Sequence, residues 1–491
     1  MKFIIQTRLQ RIGFSTLIFF GIFFLSLYLA FYEETTTNRI ISNGELMVRL
    51  FIFPAAFSIL MLVATSQSAA NEVNPQINTN KVSPTTKSAT FIAQVVGLQW
   101  LNPLQRKDYP TEWQLLWTLG LMQPNDDDEM VESNPKKYLT IQPISHIANA
   151  NYGKETFVGF HEKYLIKLLK RYRDIYFSDS NYFYNAHSLE DKSTWRELAG
   201  IHVEYAFPLA KMESDQVAIN TKESIINFFD IGLESFPNAW THNTPPDVRV
   251  TTGGPNAGFS SLTAGLEYLR KNPSKTVWVM SWDAPSFPSD TQIDENLVLL
   301  VLAGPDYQTG RAPLAWLSQP STSKVDDFEA KSGLPSRSVQ AWKATLHQAT
   351  LNAGKQQSDI GFVIHDANST HPDSSDRLVP LAQTISEELP ELDFMTRTFN
   401  TPALLGEMGA GTALTNVALG IAYANHIGKT VLIAGTTDLA QATATIVAPP
   451  AVVRPILPGQ NWFRARSAKH VHLPWWGLRH DMKPQPPGYS R

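Results

Sequence analysis

The chain of 491 residues contains no cysteine. That absence removes disulfides, thiolate metal sites and thiol nucleophiles together. It leaves the compartment open, because a disulfide-free protein is viable on either side of a bacterial membrane. The chain also lacks a basic excess: 41 Lys and Arg stand against 45 Asp and Glu, a net charge of −4, so there is no electrostatic footprint for nucleic acid. No G-x-S-x-G elbow occurs, since Gly258 and Ser260 are followed by Ser261 and Leu262. The glycines at 406, 409 and 411 precede a helix start but lack the G-x-G-x-x-G order of a nucleotide loop. His365, Asp366, His371, Asp373 and Asp376 are the densest group of potential ligands, and their spacing fits no zinc or calcium template. Neither a metal nor a cofactor is expected. What is present is 43% hydrophobic content, enough for a large core in one elaborate domain or two fused halves.

Residues 1–70 carry two apolar runs. Gly13 to Tyr32 has no charged residue and follows Lys2, Arg8 and Arg11, the length and flank of a helix crossing ~30 Å of hydrocarbon with its N-terminus inside. The second run, residues 50–65, is shorter, follows Arg49 and ends in Ser66-Gln67-Ser68-Ala69-Ala70, so Met47 to Ala70 alone resembles a cleavable signal. If both runs insert, they form a hairpin in the inner membrane and the body stays cytoplasmic. If the second is cleaved, or if Met47 is the true start, the body is periplasmic. The strength of the first run favours the hairpin. Residues 71–90 turn to Asn, Pro, Ser, Thr and Lys, the composition of a flexible linker.

The body opens on the strand pattern Phe91 to Gly97, and His161 to Tyr176 has the spacing of an amphipathic helix. The acid-rich run Asn125 to Glu129 reads as a solvated loop. Two βα series follow. The first predicts a strand at Val248 to Thr251, a helix over Phe259 to Arg270, and strands at Thr276 to Met280 and Leu297 to Ala303. The second predicts a helix over Ser338 to Asn352, a strand at Ile360 to His365, helices over Arg377 to Glu388 and Gly411 to His426, and a strand at Thr430 to Gly435. Two similar series in one chain indicate an internally duplicated α/β domain over residues 91–450.

Three stretches make a resemblance specific. They are Trp100 to Trp113 (WLNPLQRKDYPTEW), Ala303 to Trp316 with its Gly310-Arg311-Ala312-Pro313-Leu314 core, and Phe399 to Thr412 (FNTPALLGEMGAGT). With the turn Thr251 to Leu262 (TTGGPNAGFSSL), they resemble the thiolase-like fold of ketosynthases and, within it, the type VI secretion lipase-effector adaptor family. The resemblance implies a layered αβαβα body that dimerises through its central sheet. It also implies that the protein escorts a lipase effector onto the spike of the secretion machine.

The same resemblance locates a degenerate site. A condensing enzyme needs a thiolate at a helix start, where the dipole lowers its pKa, and two imidazoles for the enolate and oxyanion. The thiolate position falls on Gly258. His365 falls where the first imidazole belongs, at a strand end, and Glu407 occupies the second, where a carboxylate would repel an oxyanion. The expectation is a pseudoenzyme. Two alternatives accompany it: a hydrolase using Ser260 or Ser261 with His365 as base and Asp366 or Glu407 as orienter, and a module that binds acyl ligands without chemistry.

Residues 451–491 form a basic, aromatic tail. Trp462, Arg464, Trp475 and Trp476 are of the types that dominate protein interfaces. They serve equally as a strap packed back on the body or, near an anchor, as a membrane-surface contact.

Overall fold

The computed structural model describes residues 90–101, 111–122, 157–178, 200–209, 211–229, 245–284, 296–308, 312–367 and 372–456, all within the unit Ala89–Arg491. The two apolar runs at 13–32 and 50–65, nearly all of the linker, and Trp462, Arg464, Trp475 and Trp476 lie outside them. Among the described residues no helix is long and apolar enough to cross a membrane.

The chain runs β1 (Ile92–Leu101), α1 (Thr111–Thr118), α2 (Phe157–Ser178), β2 (His202–Pro208), α3 (Ser214–Phe228), β3 (Asp247–Gly253), α4 (Ala257–Lys271), β4 (Thr276–Asp283) and β5 (Asn296–Ala303). It continues β6 (Ala315–Ser318), β7 (Ser321–Lys324), α5 (Arg337–Ala353), β8 (Ile360–His365), α6 (Ser374–Glu388), β9 (Thr398–Asn400), α7 (Thr401–Leu405), α8 (Thr412–Ile427), β10 (Thr430–Gly435) and β11 (Gln441–Ala448). Along the sheet the order is β3-β2-β4-β5-β1-β6-β11-β10-β8-β9, with β7 beside β11.

That order is a mirror. In the N-terminal half β3, β2 and β4 are parallel, and β5 and β1 follow antiparallel. In the C-terminal half β9, β8 and β10 are parallel, and β11 and β6 follow antiparallel. The two halves meet where β1 pairs antiparallel with β6. Each crossover helix has a counterpart: α3 with α6 and α4 with α8. The duplication expected from the two βα series is therefore present in the topology.

Strand periodicity then builds the layers, because successive side chains point to opposite faces. Trp278 and Met280 of β4 join a core with Tyr164, Leu168 and Tyr172 of α2 and Val217 and Ile225 of α3. Val277 and Val279 point the other way. They enter a central core with Leu262 and Leu266 of α4, Leu414 and Val417 of α8, and Phe362, Ile364, Val431 and Ile433 from β8 and β10. The opposite faces of those C-terminal strands, Val363 and Leu432, pack with Trp342 and Leu346 of α5 and Leu381 and Ile385 of α6. Helix pairs thus cover both outer faces, and α4 with α8 fills the middle, a mixed α/β body layered αβαβα. Helix α8 has no solvent face: every residue from Thr412 to His426 is buried. Its apolar residues consequently run all round the helix.

Candidate functional site: a filled junction of the two central helices

The site lies where the two central helices begin. Helix α4 starts at Ala257 after a turn whose N–H and C=O groups close on each other, Ala257 N–H to Gly254 O at 2.9 Å and Phe259 N–H to Asn256 O at 3.0 Å. Gly258 sits in its first turn and faces the start of α8. A Cβ built there would lie 3.0 Å from Ala413 Cβ, 3.1 Å from Leu414 Cγ and 3.2 Å from Leu414 N. The position that the sequence resemblance assigns to a thiol is closed by Ala413 and Leu414 of the other half. Ala206, Ala257 and Ala410 pack together alongside.

Filling that position should be costly. Gly258→Cys is expected to destabilise by about 1–3 kcal/mol, since an added side chain must displace Ala413 and Leu414 at the start of the fully buried α8. It is also expected to acquire no acyl adduct on incubation with an acyl thioester, read by intact mass. An adduct on the introduced thiol would show the cleft to be open.

His365 ends β8 and is 2% exposed. Burial pushes its imidazole down to about 4, so it is neutral at physiological pH. Its Nδ1 accepts the Ala367 N–H at 3.3 Å and its ring lies against Phe394. With that lone pair engaged, the remaining ring nitrogen carries the proton and offers no base to a hydroxyl. Ser260 is exposed, and no hydrogen bond joins it to His365 among the described residues. Ser261 is fully buried with no partner for its hydroxyl.

Asp366 is 1% exposed. Its Oδ1 accepts both the N–H of Thr436 at 2.5 Å and the Thr436 hydroxyl at 2.8 Å, beyond the end of β10. Its Oδ2 has no partner. Burial raises its carboxyl to about 6 against the opposing pull of Thr436, and the nearby charge of Glu407 raises it further. Glu407, which the sequence resemblance assigns to the second imidazole position, thus sits within electrostatic reach of Asp366.

The loop that carries Glu407 is gripped from the other half. Asp283, the last residue of β4, is 2% exposed; it accepts the Ala410 N–H at 2.8 Å and pairs with Lys211 Nζ at 2.6 Å. The Lys211 ammonium also donates to the Ala284 carbonyl. Asn296, the first residue of β5, donates from Nδ2 to Met408 O at 3.1 Å. A Cβ on Gly411 would land on the Asn296 carboxamide, so the glycine reflects this close approach. Burial raises the Asp283 carboxyl, and Lys211 and the two backbone N–H groups oppose that rise. Lys211, Asp283 and Asn296 carry no local sequence signal. The pair is separated by 72 residues and only the fold brings it together.

Among the described residues no group of three His, Cys, Asp or Glu side chains could hold a metal ion. Asp373 and Asp376 lie on or beside the start of α6, whereas His371 is outside the described residues.

The molecule defined by these features is a duplicated α/β protein in which the starts of the two central helices pack on each other and the acids Asp366 and Glu407 lie within electrostatic reach. Residues 314–449 match the family model described as type VI lipase adapter protein Tla3, C-terminal. Solved structures similar to the chain include ketosynthases. A ketosynthase domain of oxazolomycin synthesis from Streptomyces albus JA3453 is 11% identical, with a TM-score of 0.46 over 75% of this chain and 98% of that one. The module 6 ketosynthase of the bacillaene synthase from Bacillus subtilis 168 is 10% identical, with a TM-score of 0.47 over 73% of this chain and 70% of that one. The 3-oxoacyl-[acyl-carrier-protein] synthase III of Aquifex aeolicus VF5 is 12% identical, with a TM-score of 0.39 over 72% of this chain and 99% of that one. No curated protein sequence matches the chain.

Proposed function

We propose that this protein is a non-catalytic adaptor of a bacterial type VI secretion system that binds a lipase effector and helps load it onto the spike. The observation that carries the reading is the match of residues 314–449 to the type VI lipase adapter family. The chemistry of the cleft supports it. A condensing reaction needs a nucleophile and donors aimed at an oxyanion. Here the nucleophile position is Gly258 packed against Ala413 and Leu414, and the second imidazole position is Glu407, an acid whose charge acts on Asp366. Residues that act as a unit lose nearly all activity when one is removed, so no condensing activity is assigned to the protein.

In this reading the apolar segments at 13–32 and 50–65 anchor the chain in the inner membrane with the body facing the cytoplasm, where effectors are loaded. The body forms a homodimer, and Trp462, Arg464, Trp475 and Trp476 add a partner-contacting surface. The test is secretion. Deleting the gene is expected to abolish export of the lipase encoded beside it while the secretion tube component is still exported, and Ser260→Ala, at an exposed position, is expected to rescue any strain that wild type rescues. Unchanged lipase export in the deletion strain would sink the proposal.

A further inference from the structure

After β11, residues 449–456 run back over the C-terminal end of α8 as a strap that joins no strand of the sheet. Few contacts hold it. Val453 lies against Gly428, the residue that caps α8, where an added Cβ would come within 3.0 Å of Val453 Cγ2. The Arg454 N–H donates to Asn425 O at 2.9 Å. Val452 beside them is 75% exposed. The remaining polar contacts of the strap converge on one side chain, His426.

His426 is buried in the last turn of α8 and bonded on both ring nitrogens. Nδ1 meets the Arg454 carbonyl at 3.0 Å, and Nε2 meets Glu112 Oε1 of α1 at 3.0 Å. A carbonyl oxygen only accepts, as does an ionised carboxylate, so both nitrogens must donate. Only the imidazolium does that. Burial pushes the Glu112 carboxyl up, but its bond and charge contact with His426 and the Arg454 guanidinium 3.5 Å away bring it below its ordinary value. Glu112 is therefore ionised at neutral pH. The charged groups at the ring are thus one from α1 and one from the strap. Strands β6, β10 and β11 beside α8 carry no charged residue. The charged residues near the end of α4, Glu267, Arg270 and Lys271, are exposed, as is Lys429 beyond the α8 cap.

We propose that His426 is a proton-operated clamp, whose imidazolium holds the strap and the start of α1 together on the end of α8 and whose neutral form releases one of them. A neutral imidazole has a single N–H. With the proton on Nδ1 it keeps the Arg454 carbonyl and turns a lone pair on the Glu112 carboxylate; with the proton on Nε2 it keeps Glu112 and turns the lone pair on the carbonyl. The clamp is closed in the protonated state and opens as pH rises through the range in which imidazoles titrate. His202 at the start of β2 is also bonded on both nitrogens, to Asp247 at 2.8 Å and Glu204 at 2.7 Å, but it joins strands that the sheet already pairs. His426 joins three segments that no ladder connects. The strap leads into the basic, aromatic residues after 456, so the clamp sets where they leave the body. That inference stands whether or not they contact a lipase.

The chain has no cysteine, so Val452→Cys in the full chain gives one attachment point for a nitroxide whose paramagnetic resonance line shape reads the strap alone. The mobile fraction of the spectrum is expected to rise at least threefold between pH 6 and pH 9. The same label on Leu351→Cys, at an exposed position of α5, is expected to keep one line shape throughout, which separates the strap from general loosening. In the Val452→Cys background, His426→Gln is expected to be mobile at both pH values. Glu112→Gln is expected to be immobile at both, because its amide N–H can donate to a neutral Nε2 while Nδ1–H keeps the Arg454 carbonyl. A Val452→Cys spectrum that is the same at pH 6 and pH 9 overturns the proposal, as does a pH response that persists in His426→Gln or in Glu112→Gln.

Discussion

Lys211→Met is expected to destabilise the protein by about 3–5 kcal/mol, the cost of leaving one member of a buried ion pair without its partner. Lys211 pairs with Asp283 at 2.6 Å, and the two side chains are 11% and 2% exposed. Without the ammonium, the Asp283 carboxylate keeps only the N–H groups of Ala410 and Ala284. Asp283 also holds the loop that carries Glu407, so the loss reaches across the two halves. Burial already raises the Asp283 carboxyl, and removing Lys211 raises it further, so the deficit should shrink as acid protonates the carboxyl. Asp283→Asn in the Lys211→Met background removes the stranded charge and should recover much of the loss. Urea unfolding midpoints of the two single variants and the double variant measure this coupling. A cost below about 1 kcal/mol for Lys211→Met would mean that the pair behaves as a surface salt bridge.

Asp366→Asn is expected to stabilise the protein at alkaline pH. The carboxyl stands at about 6 in the folded protein, above its ordinary value of 3.8. A group raised in this way contributes stability that is complete below its unfolded pKa and lost as pH rises through the folded one. At pH 8 the fold therefore carries a buried, ionised carboxylate that costs on the order of 3 kcal/mol relative to acid conditions. Asparagine keeps an oxygen to accept from the N–H and hydroxyl of Thr436, and its neutral amide replaces the Oδ2 that has no partner. Near Glu407 an amide N–H is favourable where a second negative charge is not. The expected gain is about 2 kcal/mol at pH 8, closing between pH 6 and pH 4, read as the difference in melting temperature between variant and wild type. A constant difference across that range would show that Asp366 is not the titrating group.

Much of the fold was legible where burial writes itself into sequence. Strands β8 and β10 coincide with the predicted Ile360 to His365 and Thr430 to Gly435. Both are short apolar runs bounded by turn or helix residues, the pattern of a buried parallel strand. Helix α6 starts at Ser374, ahead of the predicted Arg377, because polar first-turn residues add nothing to an apolar period. Strand β2 escaped the pattern altogether. All seven of its residues are buried, so there is no alternation to detect, and His202 and Glu204 look like surface residues until their mutual bond is seen. Strand β11 reads QATATIVA, too rich in Ala to announce itself.

The site divided in the same way. Gly258 and Glu407 were visible as departures from a pattern carried by neighbouring residues. The Lys211–Asp283 pair and the Asn296–Met408 contact join distant segments and have no local signature.

The measurement that tests the central claim most directly is the binding of purified full-length chain to the lipase encoded beside it, titrated against an unrelated lipase of similar size and charge. The account predicts a saturable, specific complex that forms with Ser260→Ala as well as with wild type and needs no acyl thioester. Absence of binding to the neighbouring lipase, or equal binding to the unrelated one, would contradict it.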